Sequence, residues 1–265
     1  MSETFDAYSP EKIAQLVDSA GIRKAQMPVL QLVVLGILAG QFIAFGAMFY
    51  TLVITDSLLG FGPTRLLGGL AFSLGLILVV IAGAELFTGN NLIVIAWAQH
   101  DITTTQLLRN WVIVYVANFI GALLTGCAVL YSGTLDLAAG AVGAKAFAIV
   151  QHKISLSFIQ ALASGILCNA LVCLAVWLSM AARTVSGKIL AIIFPVSAFV
   201  TLGFEHSIAN MYFFSLFLLQ ADSGVSALDL LNNLIPVTLG NIVGGSCFVA
   251  LVYWVCYLKK RTPQA

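Results

Sequence analysis

The chain has 265 residues, of which 60% are hydrophobic and only 9% charged, with a formal net charge of +1 at pH 7 and a mean hydropathy of +1.02. No soluble domain of this size tolerates so much apolar surface, so the composition indicates an integral membrane protein. The near-neutral charge gives no basis for nucleic-acid binding, and the one basic run, Lys259-Lys260-Arg261, fits a positive anchor at a membrane edge.

The N-terminus, MSETFDAYSP, is acidic and lacks the basic-then-apolar pattern of a signal peptide, so it is expected to be retained. Ser9-Pro10-Glu11 then reads as a helix start, with Ser9 as N-cap, and Ile13, Leu16, Val17 and Ala20 recur on one face until Gly21. Residues 1–27 are therefore expected to hold an amphipathic helix that lies at the membrane interface or packs on a neighbouring subunit. Charge-free runs follow at residues 25–55, 66–84, 110–135, 154–182, 189–204 and 230–258. A span needs about 20 mostly apolar residues, which predicts six transmembrane helices within residues 28–258 and a short tail from 259 to 265.

With six spans both ends share a side. That side holds Lys12, Arg23, Lys24, Arg109, Arg183, Lys188, Lys259, Lys260 and Arg261, leaving Arg65, Lys145 and Lys153 opposite, which predicts cytoplasmic termini. Cys127, Cys168, Cys173, Cys247 and Cys256 all fall in predicted spans without CxxC spacing, and His100, His152 and His206 fall in separate segments. Neither set implies a disulfide, a metal or a cofactor.

The two halves match one another. LLRNWVIVYVANFIG, residues 107–121, aligns with LLNNLIPVTLGNIVG, residues 230–244, pairing Asn110 with Asn233 and Asn118 with Asn241. GAELFTGN, residues 83–90, aligns with GFEHSIAN, residues 203–210, and GILAG at Gly36 with GILCN at Gly165. The spacing predicts a duplicated three-span unit, about residues 28–132 and 154–258, whose odd span number inserts the copies upside down. GILAG also fits small-xxx-small close helix packing.

The second span of each unit is interrupted by polar residues, at 85–91 and 203–210, and two broken helices at equivalent positions are expected to meet near the midplane. Glu85 and Glu205 are expected to accept hydrogen bonds from backbone N–H groups freed at the breaks, with Asn90 and Asn210 capping the half-helices that follow. His206 stands opposite Leu86 in the repeat, so scaffold symmetry does not explain it; an intramembrane histidine points to an ion or proton pathway. Thr88, in the other break, either faces the same point or bonds its own loop. Asn169, whose repeat equivalent is Gly40, is a second polar group present in one copy only.

AELFTGN, GILCNALVCLAVW, GFEHSIANM and NNLIPVTLGNIVGG resemble the hallmark segments of the formate/nitrite transporter family, over residues 10–260 or so. The resemblance implies an all-α, aquaporin-like subunit built as an inverted 3+3 repeat with broken helices 2 and 5. It further implies a homopentamer with one pore per subunit in a bacterial or archaeal inner membrane. In such a pore His206 faces Thr88, Lys153 and Asn169 attract anions in a vestibule, and apolar constrictions stand at Phe72 and Leu76 on one side and Phe199 on the other. Lys153, placed at the outer start of span 4, also fits a snorkelling interfacial lysine.

The implied substrates are small monovalent anions, formate first, then nitrite, then hydrosulfide. Apolar rings oppose a bare anion far more than its neutral acid, which makes proton co-transport through His206 or nearby water the favoured expectation and anion electrodiffusion the alternative. Catalysis is not expected: His206 has no nucleophile or metal companion at membrane depth, and no GxxxxGK[ST] motif serves an ATP-driven pump.

Overall fold

The computed structural model describes residues 7–220 and 222–259, so Lys260 and Arg261 of the basic run lie outside the described residues. Among the described residues six helices are long and apolar enough to cross a membrane: Val29–Ile54, Phe61–Gly83, Thr104–Tyr131, Phe158–Ala181, Val185–Leu202 and Ala227–Tyr257. All six predicted spans are present, and the protein is a multi-pass membrane protein. In chain order the elements are α1 (Pro10–Gln26), α2 (Val29–Ile54), α3 (Phe61–Leu78), α4 (Val94–Ala98), α5 (Thr104–Tyr131), α6 (Ala141–Ile154), α7 (Phe158–Ala181), α8 (Val185–Leu202), α9 (Ser207–Leu218), α10 (Ala227–Gly245) and α11 (Val252–Tyr257).

Local chemistry explains the ends. Thr103 with Gln106, Ser157 with Gln160 and Ser226 with Asp229 form reciprocal capping boxes that start α5, α7 and α10. The first of these starts span 3 before Arg109, whose guanidinium turns back to the carbonyls of Ala25 and Met27. Two π-helical turns, Val79–Gly83 and Ser246–Leu251, extend α3 and join α10 to α11.

Span 2 breaks over residues 84–88 and resumes as a 3-10 turn, Gly89–Ile93, leading into α4; span 5 breaks at residues 203–206 between α8 and α9. Both breaks occur where the repeat placed them. Each opens with a glycine at positive φ, Gly83 at 87° and Gly203 at 77°, a conformation that a side chain resists.

Small residues set the helix spacing, as GILAG anticipated. A Cβ on Gly40 would collide with the Asn118 carbonyl on α5, and one on Gly121 with the Ile37 carbonyl on α2. The other half repeats the contact, with Gly240 against the Leu162 carbonyl and Gly244 against the Ile166 carbonyl. In each half the first and third spans thus meet backbone to backbone.

Two expectations are corrected. The first helix does not stop at Gly21: it continues to Gln26, and Gly21 lets it approach Ala96 and Ile93 of its own subunit. Its buried Ile13, Ala14 and Val17 join the core formed with the second half of span 2. Ser9 does cap it, accepting from the Lys12 N–H at 3.3 Å with Pro10 in the first turn. Lys153, secondly, is not on span 4. It ends α6, a separate helix whose Val142, Ala146 and Val150 are buried.

Candidate functional site

The breaks are held open by side chains, and the two halves use the same bonds. Asn118 Oδ1 accepts the Phe87 N–H at 2.9 Å while its Nδ2 donates to the carbonyls of Gly36 at 2.7 Å and Glu85 at 2.9 Å. Asn241 accepts the Ser207 N–H at 2.9 Å and donates to Gly165 at 2.9 Å and Glu205 at 3.0 Å. These asparagines satisfy backbone groups that no helix pairs at this depth. The glutamates, expected in that role, do something else.

Glu85 accepts from Lys24 Nζ at 2.7 Å and from Asn90 Nδ2 at 2.8 Å; Lys24 also donates to Asn90 Oδ1 at 2.9 Å. Asn90 continues to Asn110 Oδ1 at 3.0 Å, and Asn110 Nδ2 returns to the Lys24 carbonyl at 3.0 Å. In the second half Lys153 Nζ bridges both Glu205 oxygens at 2.9 and 3.1 Å, and Asn210 Nδ2 reaches Glu205 at 2.6 Å and Asn233 at 2.7 Å. Asn233 then donates to the Lys153 carbonyl at 3.1 Å. Asn90 and Asn210 therefore tie carboxylates to the third span of each unit rather than capping half-helices, because each lies inside the helix that follows the break, whose N-cap position is held by Thr88 in one half and His206 in the other. Lys24 was missed from sequence, although its offset from Lys153 equals that of Gly36 from Gly165.

The cap of α9 is His206. Its Nδ1 accepts the Ala209 N–H at 3.1 Å, and its Nε2 lies 2.9 Å from Thr88 Oγ1. A backbone N–H only donates, so Nδ1 carries no proton, Nε2 carries it, and the Thr88 oxygen accepts. The Thr88 hydroxyl hydrogen is then left to point elsewhere. Both side chains are buried, at 3% and 0% exposure, and they join the two breaks at one point.

Two cavities approach this point from opposite ends of α2, α3 and α8. One, of about 390 Å³, opens on the side of α1 and is lined by Lys24, Leu76, Glu85, Asn90, Val176 and Lys188. The other, of about 600 Å³, is lined by Arg65, Phe72, Lys153, Phe199, Glu205 and His206. Phe72 and Phe199 meet edge to face with centroids 5.7 Å apart, and Phe199 stacks over the His206 ring at 6.0 Å. The predicted grouping is thus rearranged: Phe72 pairs with Phe199 on one side and Leu76 stands on the other, because four residues on α3 advance about 6 Å along the helix.

Asn169 does not reach the cavity of Lys153. Its Nδ2 donates to the carbonyls of Thr88 at 3.2 Å and Asn241 at 2.6 Å and to Asn91 Oδ1 at 2.7 Å, bracing the Thr88 loop from behind. Among the described residues no group of three or more histidine, cysteine, aspartate or glutamate side chains is placed to hold a metal ion.

A sequence profile of the family described as "Formate/nitrite transporter" matches residues 11–255. The chain belongs to the formate/nitrite transporter family. It is 41% identical to "Formate channel FocA" of Escherichia coli (strain K12), with 97% of each chain covered. Among solved structures it resembles "Pentameric formate channel with formate bound" at 43% identity and a TM-score of 0.80, covering 87% of this chain and 98% of that one. A second, "FNT family ion channel", gives 27% identity and a TM-score of 0.84 over 92% and 98% of the two chains. The family read from four sequence segments is therefore the right one, and it is a family of channels and transporters rather than of enzymes.

Proposed function

We propose that the protein is a homopentameric formate channel of the bacterial or archaeal cytoplasmic membrane, with both termini in the cytoplasm, one pore per subunit, and formate moving together with a proton. The observation that carries this reading is the His206–Thr88 contact of 2.9 Å between two cavities closed off by apolar side chains. The names of the relatives favour formate over nitrite and hydrosulfide, and the basic residues on the side of α1 favour the orientation.

The chemistry follows from the tautomer. Protonating His206 at Nδ1 would break the cap of α9 and set two N–H groups against each other, so the dyad works as a neutral hydrogen-bond donor through the free Thr88 hydrogen. A neutral imidazole does not give up its remaining proton to a weak-acid anion. The proton therefore comes with the substrate from vestibule water. Desolvation at Phe72 and Phe199 favours the uncharged form of the anion as it enters. Formic acid then passes Leu76 into the second cavity and ionises where water returns.

In this scheme Lys153 and Lys24 act as scaffold charges, because each is already matched by a glutamate. The test is flux of formate, nitrite and hydrosulfide into proteoliposomes over a pH series, with His206→Phe as control. Formate uptake that is fastest of the three and is lost in the variant supports the reading; a wild-type protein impermeable to formate overturns it.

A further inference from the structure

The cavity that holds Lys153 contains a second buried-edge cation with a different status. Lys153 is bonded to both oxygens of Glu205, so the pair presents no net charge to an incoming anion. Arg65, five residues into span 2, lines the same 600 Å³ space. Its Nε donates to the Thr201 carbonyl at 3.0 Å and one Nη2 hydrogen to the Val200 carbonyl at 3.1 Å. Among the described residues no carboxylate lies within salt-bridge distance of it. The carbonyls it touches end α8, where the helix dipole offers only about half an elementary charge of compensation. A guanidinium has five N–H donors, so three remain uncommitted on the two terminal nitrogens.

The backbone is shaped around this group. Gly203 has φ 77°, and a Cβ there would stand 2.7 Å from Arg65 Nη2. The Thr201 hydroxyl in turn donates to the Arg65 carbonyl at 3.2 Å, clamping α3 to α8 beside the break that carries Glu205 and His206. The guanidinium is thereby held rigid at the rim of the Phe72–Phe199 constriction, which both belong to the same lining. On the other side Lys188, in the first turn of α8, lines the smaller cavity in a similar place on the inverted helix, without Arg65's forked geometry.

We propose that Arg65 is the anion-loading and specificity-determining residue of this vestibule. It takes a planar, two-oxygen monoanion, a carboxylate or nitrite, on its free N–H fork before the apolar constriction. An anion with a single acceptor atom, such as hydrosulfide or chloride, cannot match the fork with two parallel bonds and gains correspondingly less. Lys145, further out on α6, adds long-range attraction, opposed by Asp56 in the same lining. The inference rests on the anion-channel reading of the pore.

The experiment measures concentration-dependent formate and hydrosulfide uptake in right-side-out cells, with assembly checked on purified protein, for wild type, Arg65→Gln and Arg65→Lys. Arg65→Gln is expected to raise the half-saturating formate concentration about tenfold and hydrosulfide's by much less. Arg65→Lys, which keeps the charge and loses the fork, is expected to recover the salt dependence of uptake but not the preference for formate. An assembled Arg65→Gln channel with half-saturation within twofold of wild type overturns the proposal. So does an Arg65→Lys channel that discriminates like wild type, and this variant decides the matter alone where Arg65→Gln does not assemble. A wild type without formate uptake overturns the formate reading instead, and equal loss for both anions overturns the forked contact.

Discussion

The Lys153–Glu205 pair offers a quantitative test of how the break is held. Lys153 is 9% and Glu205 2% exposed, and the two are joined by contacts of 2.9 and 3.1 Å. Lys153→Met leaves the carboxylate with Asn210 as its remaining side-chain donor, a buried charge without a counter-ion, at a cost of about 3–5 kcal/mol. Glu205→Gln does the converse to the ammonium, which then has the face of Phe213 at 5.7 Å for partial compensation and loses a little less. Changing both together removes both charges, and the double variant is expected within about 1 kcal/mol of wild type, since a buried ion pair gains little over a neutral pair of similar volume. The assay is reversible unfolding in mixed detergent micelles, read as a double-mutant cycle. Single changes that each cost under about 1 kcal/mol, or a double variant that costs their sum, refute the coupling.

Asn118→Leu and Asn241→Leu each remove three buried hydrogen bonds to backbone and are expected to destabilise by about 3–6 kcal/mol, equally in the two halves; a clear inequality in thermal unfolding contradicts the shared role. Gly121→Ala drives a methyl into the Ile37 carbonyl and is expected to cost about 1–3 kcal/mol, checked by the same unfolding. Asp18 on α1 is raised to about 6 by burial and by the adjacent Asp101, and its Oδ1 has no hydrogen-bond partner among the described residues. An acid whose value rises on docking binds its proton more tightly when docked, so α1 is held more firmly as pH falls through about 6 and less firmly above it. Hydrogen exchange of residues 10–26 from pH 4 to 8, corrected for the intrinsic rate, is expected to show protection decreasing up to about pH 6 and level above it, and Asp18→Asn is expected to abolish the trend.

Much of this architecture was legible because hydropathy and the internal repeat are one-dimensional signals. The six spans, both breaks and the asymmetry of His206 against Leu86 follow from spacing alone. What was not legible depends on chains crossing in space. Glu85 pairs with a lysine 61 positions earlier on a helix outside the spans, and nothing local to either residue announces it. Asn118 and Asn241 were visible as a matched pair but carried no role until the freed N–H groups of Phe87 and Ser207 were located. The segment of α6 holds Gly140, Gly143, Lys145, His152 and Lys153, a mixture that reads as a connection rather than as a helix with a buried face. Phe72 and Leu76, adjacent on one helix, fall on opposite sides of the histidine, and Phe199 meets Phe72 only because spans 2 and 5 cross there.

The central claim is that the anion crosses the His206–Thr88 point as its neutral acid. Internal pH and membrane potential recorded together in proteoliposomes during an imposed formate gradient test it most directly. Acidification by one proton equivalent per formate, with no potential developing, is the predicted result. Formate entry that builds an inside-negative potential at constant internal pH would contradict it.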